Sequence, residues 1–382
     1  MSLTRRQLLK AGGALAVLGP LGCATPGSSG AKELIARQET PWNAEPRLDR
    51  LTGSWITPLR HFYVRSHGAV PAIDAAAYRL TVGGLVERPL SLPLAELRGA
   101  EQGATPATLQ CAGNRRNEIS RIKPVAGVQW DAGAIGNAEW RGARLAELLK
   151  RAGVKGGAKY VWFEGLDEPV VKEQKIRFAA TIPLEKALRP ETLVALEMNG
   201  EPLAAWHGAP ARTVVPGYIG ARSVKWLGSI TVSDRPSDNF FSARDYKFFA
   251  PDVTAETAKW EEKDPIYDYA LSSAICSPLA NETVRAGRLR VRGYALAPAG
   301  SSLKSVEVSA NGGVTWASAR LAGEESPYAW RLWEVDFEAP PGPRVLVARA
   351  SDSTGRVQPE QPAWNFKGYL CNAWHRVPVI VA

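Results

Sequence analysis

After about residue 270, apolar and polar side chains alternate with a period of two, and this pattern constrains the fold more than any other feature of the chain. Arg288 to Ala295 alternates, as does Ser305 to Ser309, and Asn311-Gly312-Gly313 is a hairpin turn signal. Trp330 to Phe337, Arg344 to Ala350 and Trp374 to Val381 complete a set of short strands. A period of two sends successive side chains to opposite faces, so each strand can bury one face and wet the other. The pattern predicts an all-β antiparallel sandwich of immunoglobulin type over residues 270–382.

Residues 46–265 read differently, as a mixed α+β domain. Tyr78 to Val82 alternates as a short strand before Gly83-Gly84. Arg144 to Lys150 has helical spacing and ends near Gly153. Tyr160 to Phe163, Arg212 to Pro216 and Val224 to Val232 are further strand candidates. No G-x-G-x-x-G follows a strand and no phosphate-binding G-x-x-x-x-G-K-[ST] exists, so a nucleotide fold is not indicated.

The N-terminus stands apart. Thr4-Arg5-Arg6-Gln7-Leu8-Leu9-Lys10 is basic, Ala11 to Leu18 is a short apolar run, and small residues follow. The run is too short for a stable membrane span, and the pattern over residues 1–30 is that of a secretory signal. Its Arg-Arg pair resembles the twin-arginine export signal, which predicts a periplasmic protein exported in the folded state. Gly22-Cys23-Ala24 fits small-x-small cleavage, and Leu21-Gly22-Cys23 also looks like an imperfect lipid-attachment box, so lipid anchoring at Cys23 stays open. Residues 31–45, polar and rich in small side chains, read as a linker.

Formal charge is +9, with no long basic run, so the surplus suits small anions or an acidic protein better than nucleic acid. The four cysteines, Cys23, Cys111, Cys276 and Cys371, form no C-x-x-C pair. A zinc site or haem attachment on this chain is therefore not expected. Cys276 and Cys371 read as structural thiols.

Leu109-Gln110-Cys111-Ala112-Gly113-Asn114-Arg115-Arg116 is the segment richest in chemistry. Adjacent arginines favour a thiolate at Cys111, and thiolates are soft ligands for transition metals. The residues alone leave two readings: a metal ligand, or a small buried apolar side chain. This segment closely resembles the molybdenum-binding segment of the sulfite oxidase family. Tyr63-Val64-Arg65-Ser66-His67, Phe163 to Asp167, Glu197 to Gly200, Val214 to Gly217, Gly220 to Leu227, Arg244 to Lys247, Gly312 to Trp316, Trp330 to Trp333 and Asn372 to Val377 look like further segments of that family, in the same order.

The resemblance implies a molybdopterin cofactor with Cys111 as its metal ligand, in a sulfite-oxidase-type domain followed by a β domain that pairs two chains. It implies cofactor contacts from Tyr63, Val64, Arg65, Ser66, His67, Asp167, His207, Arg212, Ser223, Val224 and Lys225. It implies a substrate pocket formed by Arg65, Arg116, Trp130 and Tyr246, with Lys367 at the position of a further pocket arginine. Arginine suits an oxyanion because its planar fork donates paired hydrogen bonds. The implied activity is oxidation of sulfite to sulfate. Another molybdopterin reaction on the same scaffold, sulfoxide or nitrate reduction, is the alternative.

The chain departs from the family pattern in three places. Trp364-Asn365-Phe366-Lys367-Gly368 has a lysine where an arginine is usual, keeping charge but losing the planar fork. Ala126 replaces a frequent lysine. The segment before residue 45 is too short for the haem domain of animal members. Electrons are therefore expected to leave to a cytochrome c, another periplasmic acceptor or oxygen. Arg115 and His375 read as supports rather than substrate contacts.

Overall fold

A computed structural model describes residues 33–382, so the twin-arginine segment and Cys23 lie outside the described residues. Between them, the N-terminal domain's two sheets, one mixed and one antiparallel, hold most of the core. In the first, Ala179–Pro183, Tyr160–Gly165, Leu227–Ser233, Arg79–Gly84 and Leu90–Pro93 lie side by side, and only the Leu227–Ser233/Arg79–Gly84 pair is parallel. The second runs Glu201–Pro202, Leu193–Met198, Ile135–Arg144, Gln102–Gln110, with Arg212–Val214 also paired to Leu193–Met198. Helix Leu145–Ala152 buries Leu145, Leu148, Leu149 and Ala152, the 3.6-residue stripe expected of it. It stops at Gly153, whose φ of 71° lets its N–H cap the Leu149 carbonyl.

The C-terminal domain is the expected sandwich. One sheet contains Ser272–Ser277, Gly287–Leu296, Arg331–Ala339 and Arg320–Ala322; the other contains Thr283–Val284, His375–Val381, Gly342–Asp352, Leu303–Ser309 and Ala317–Ser318. Leu289, Val291, Val306, Val308, Leu346, Ala348, Val377 and Val379 fill the space between them. Gly312 and Gly313, at φ of 76° and 101°, carry the chain from Leu303–Ser309 to its partner Ala317–Ser318.

Two expectations need correction. Residues 34–46 are a hairpin, Leu34–Gln38 paired with Asn43–Pro46, rather than part of a linker. Asn43, Ala44 and Glu45 are fully buried. The Glu45 carboxylate accepts the N–H groups of Asp131 (2.8 Å) and Gly133 (2.9 Å), and Ala44 exchanges two backbone bonds with Val64. Its polarity is that of paired buried groups, which composition cannot distinguish from solvation. The strand expected over Val224 to Val232 begins only at Leu227, because Trp226 sits at φ 50° and breaks the extended chain.

The domains are joined by buried polar contacts at the loop that carries Cys111. Asn114 donates to the Tyr294 hydroxyl (3.0 Å), which donates to the Ala132 carbonyl (2.8 Å). Arg115, itself at φ 65°, forks onto Glu118 at 2.7 Å and donates to the carbonyls of Ala373 (2.8 Å) and Trp374 (3.3 Å). Trp55 and Trp330 exchange indole-to-carbonyl bonds across the same seam. Burial is the largest influence and would raise the Glu118 carboxyl, but the charge and hydrogen bonding of Arg115, with the charges of His375 and Arg121, together hold the group below its ordinary range.

Arg115→Met removes one member of this buried pair while leaving backbone strain at φ 65° unchanged. Breaking such a pair costs about 3–5 kcal/mol. The expected result is a melting temperature lower by roughly 5–10 °C, measured by thermal unfolding; a melting curve like the parent's would show that Arg115 does not bind the seam.

Candidate active site

Strand Gln102–Gln110 ends at Cys111, and a tight turn follows: Cys111 donates to the Ala134 carbonyl, Asn114 to that of Cys111 and Arg116 to that of Gly113, each at 2.9 Å. A Cβ on Gly113 or Gly127 would collide with the Arg116 guanidinium, so both loops close around that side chain. Leu370 adds a bond to the Ala112 carbonyl (2.8 Å) from the second domain.

Cys111 opens into a cavity of about 680 Å³. Tyr63, Arg65, Ser66 and His67 line it from one segment, and Asp167 from the loop after Tyr160–Gly165. His207, Arg212, Ser223, Lys225 and Tyr246 complete the group that the sequence picked out. Phe62, Phe178, Trp206, Ala221 and Trp226 also line it, and sequence reasoning did not single them out. Adjacency was the available signal, since Phe62 precedes Tyr63, Trp206 precedes His207 and Trp226 follows Lys225.

Five expected residues are not among the lining. Val64 is committed to its backbone pair with Ala44, and Val224 to bonds with Thr213. Trp130 is fully buried in the core behind Cys111, with no partner for its indole N–H. Arg116 donates to the carbonyls of Val128 (2.9 Å) and Lys367 (3.2 Å), so it braces the walls instead of reaching into the space they enclose. Lys367 pairs with Asp245 at 2.5 Å. Arg116, Trp130 and Lys367 thus stand just behind the wall in this structure, each side chain with a protein partner or a packed site there.

The cavity's electrostatics are unbalanced. Among its lining residues Arg65, Arg212 and Lys225 face a single carboxylate, Asp167. Arg212 donates only to carbonyls, those of His207 (2.9 Å), Ser223 (3.0 Å) and Thr213 (3.3 Å), and burial pushes its guanidinium down to about 10. Lys225 donates to the Ser66 hydroxyl and the Trp206 carbonyl, both at 2.8 Å; burial, then the Arg212 charge, hold it well below its usual range. Desolvated cations without counter-charges are costly, and a bound anion relieves that cost. Asp167 is pushed up to about 6 by burial, and its Oδ1 has no hydrogen-bond partner.

A second group forms a chain. Arg65 donates to the His67 ring at 3.1 Å, and the His67 Nε2 lies 2.7 Å from the Tyr246 hydroxyl. Burial, then the charges of Arg65 and Lys225, hold His67 far below its usual range, so the ring is neutral. With Nδ1 accepting from Arg65, Nε2–H donates to the Tyr246 oxygen, which leaves the phenolic proton for the cavity. His207 is pushed down to about 3 by burial and is also neutral.

The donor set fits a large, multiply anionic ligand with a soft-metal end. One thiol, three cations, a carboxylate with one unpartnered oxygen and several hydroxyls face one cavity. Residues 67–241 match the family described as oxidoreductase molybdopterin binding domain, and residues 263–382 match the Mo-co oxidoreductase dimerisation domain. Fold and cavity together define a molybdopterin oxidoreductase. The chain is 42% identical over 362 residues to human mitochondrial sulfite oxidase, covering 91% of this chain and 66% of that protein. It therefore spans just under two thirds of the mammalian protein's length. It is 39% identical over 367 residues to sulfite oxidase of Arabidopsis thaliana, covering 90% and 93%. The sulfane dehydrogenase SoxCD of Paracoccus pantotrophus superimposes with a TM-score of 0.77 at 26% identity, over 95% of this chain and 92% of that one. The chain belongs to the sulfite oxidase family.

Asp167 supplies a prediction for the cofactor-free protein. Its folded-state value lies above the unfolded one, so its contribution to stability is full below about pH 4 and is lost as pH rises through about 6. Asp167→Asn removes that loss. The variant should be more stable than the parent by about 2–3 kcal/mol at pH 8, with the difference vanishing near pH 4. Denaturant titrations at both pH values measure it, and equal stability at pH 8 would contradict the assignment.

Proposed function

We propose that this protein oxidises sulfite to sulfate and passes the electrons to a separate acceptor, a cytochrome c. The observation that carries the reading is the cavity in which the Cys111 thiol, the Arg65–His67–Tyr246 chain and a surplus of buried positive charge meet. The names of the related proteins, sulfite oxidases and a sulfane dehydrogenase, agree with a sulfur substrate.

The residues divide by chemistry. Cys111 would ligate the molybdenum, while Arg212 and Lys225 would neutralise the phosphate of the pterin and Ser66 and Ser223 add short-range polar contacts. Asp167, with its free oxygen, would accept N–H groups of the pterin ring. Tyr63 and His207 would fill the remaining wall. When bound, the cofactor supplies the two-electron oxygen transfer at molybdenum. Arg65 holds the substrate oxyanion with its remaining N–H donors, and His67 keeps that guanidinium oriented. Tyr246 offers its phenolic proton to an oxyanion oxygen and does not lose it, because burial makes the phenol a weaker acid. Phe62, Phe178, Trp206 and Trp226 exclude water, which strengthens each of these bonds.

The setting extends the reading. The N-terminal segment of residues 1–30 would send the folded protein to the periplasm by the twin-arginine route, with lipid attachment at Cys23 as a variant of the same route. Residues 263–382 would form a homodimer. A formal charge of about +6 after signal removal favours an acidic or mixed-charge partner surface.

The deciding assay is reduction of ferricyanide or cytochrome c by purified protein with sulfite, against nitrate and methionine sulfoxide. Sulfite-dependent reduction is expected; turnover with nitrate or the sulfoxide alone would replace this reading with a reductase. Cys111→Ser should abolish turnover with the fold intact, and full activity with bound molybdenum would refute its role. Arg65→Gln should raise the KM for sulfite roughly ten- to hundredfold, the loss of one charged hydrogen bond. An unchanged KM would place the oxyanion elsewhere.

A further inference from the structure

Beside the cavity lies an ion pair that the reaction as described does not use. Asp245 ends the turn Phe241–Asp245 and immediately precedes Tyr246. Its Oδ1 holds the Lys367 ammonium at 2.5 Å and lies 3.4 Å from the Tyr369 hydroxyl. Tyr369 stacks on Tyr246 with ring centroids 5.4 Å apart, and Lys367 sits 5.6 Å from the Tyr369 ring. The two charges are therefore one aromatic layer from the hydroxyl that faces the cavity. They are felt inside it: the Asp245 charge acts on Arg65 and Tyr246, and the Lys367 charge on His67.

The backbone around Lys367 is held by its neighbours, and its side chain by the Asp245 carboxylate. The Lys367 carbonyl accepts from Arg116, a Cβ on Gly368 would meet the Arg116 side chain at 2.7 Å, and Asn365 exchanges two bonds with Tyr369. The lysine stem has four rotatable carbons and ends in a point charge, which can change partners without a fixed approach direction. A guanidinium in its place would fork onto the carboxylate in a set geometry.

We propose that Asp245 sets the affinity of the oxyanion site: it holds the Lys367 ammonium behind the cavity wall until a bound oxyanion takes that ammonium in exchange. The inference rests on the reading of the cavity as an oxyanion site. The carboxylate competes with the ligand for one cation, so it weakens binding of substrate and product alike and speeds product departure. Asp245 is a positioning residue, acting through Lys367.

The test uses the holoenzyme, with two readouts: steady-state sulfite oxidation, and calorimetric binding of sulfate. Asp245→Asn, nearly isosteric, should lower both the KM for sulfite and the Kd for sulfate about tenfold, the worth of one charged hydrogen bond. Its kcat should fall as sulfate leaves more slowly. Lys367→Met placed on Asp245→Asn should abolish the gain. Unchanged or weaker sulfate binding in Asp245→Asn would overturn the proposal. So would a gain that survives Lys367→Met, since that would be simple removal of negative charge. If the parent does not oxidise sulfite but Asp245→Asn still tightens sulfate through Lys367, the exchange stands and the sulfite reading falls. If sulfite is oxidised and neither constant improves, the reading stands and the exchange falls.

Discussion

The structure depends on one buried guanidinium. Arg115 occupies a left-handed backbone position four residues after Cys111, and its side chain is spent entirely on Glu118 and on carbonyls of the C-terminal domain. A charge that deep persists only when each of its donors is satisfied. The Cys111 loop can therefore hold its shape only while the sandwich is docked, and Asn114 repeats the constraint through Tyr294. The β domain is thus part of the site's mechanical frame, in addition to any role in pairing two chains. Core residues say the same, because Ala274, Cys276, Tyr294, Leu296 and Trp330 pack in one cluster with the N-terminal domain.

Within that frame the cavity is deliberately incomplete in charge. Arg65, Arg212 and Lys225 cost desolvation energy that Asp167 alone does not offset. An anionic cofactor supplies the missing counter-charge, so binding it and completing the fold are the same event in energetic terms. Two neutral histidines sit among these cations because protonating either would add charge where none can be afforded.

Much of this was legible in the chain. The sandwich followed from period-two alternation, and its strands lie within a few residues of where the pattern put them, since each strand buries one face. Eleven of the site residues singled out in the sequence, among them Cys111, Arg65 and Tyr246, do line one cavity. The orientation of long charged side chains was not legible. Lys367 and Asp245 are 122 positions apart, and nothing local announces their pairing. Arg116 carries the same charge whether it reaches into the cavity or braces Val128, and only the packed loops decide. Hairpin 34–46 is not legible in the chain, because Glu45 and Asn43 look solvated until their buried partners are seen. Whether residues 1–30 direct export lies outside the described residues.

That hairpin has a consequence for how the protein ages. Asn43 receives N–H bonds from Arg65 (3.2 Å) and Ser66 (2.8 Å), two residues that line the cavity. The chain's described beginning is thus stitched to the middle of the site. A peptidase that trimmed through residues 34–46 would remove the Asn43 contacts to Arg65 and Ser66 and disable the enzyme within a dozen residues. Loss of function by trimming should be abrupt, and the Cys111 loop need not be touched for it to occur.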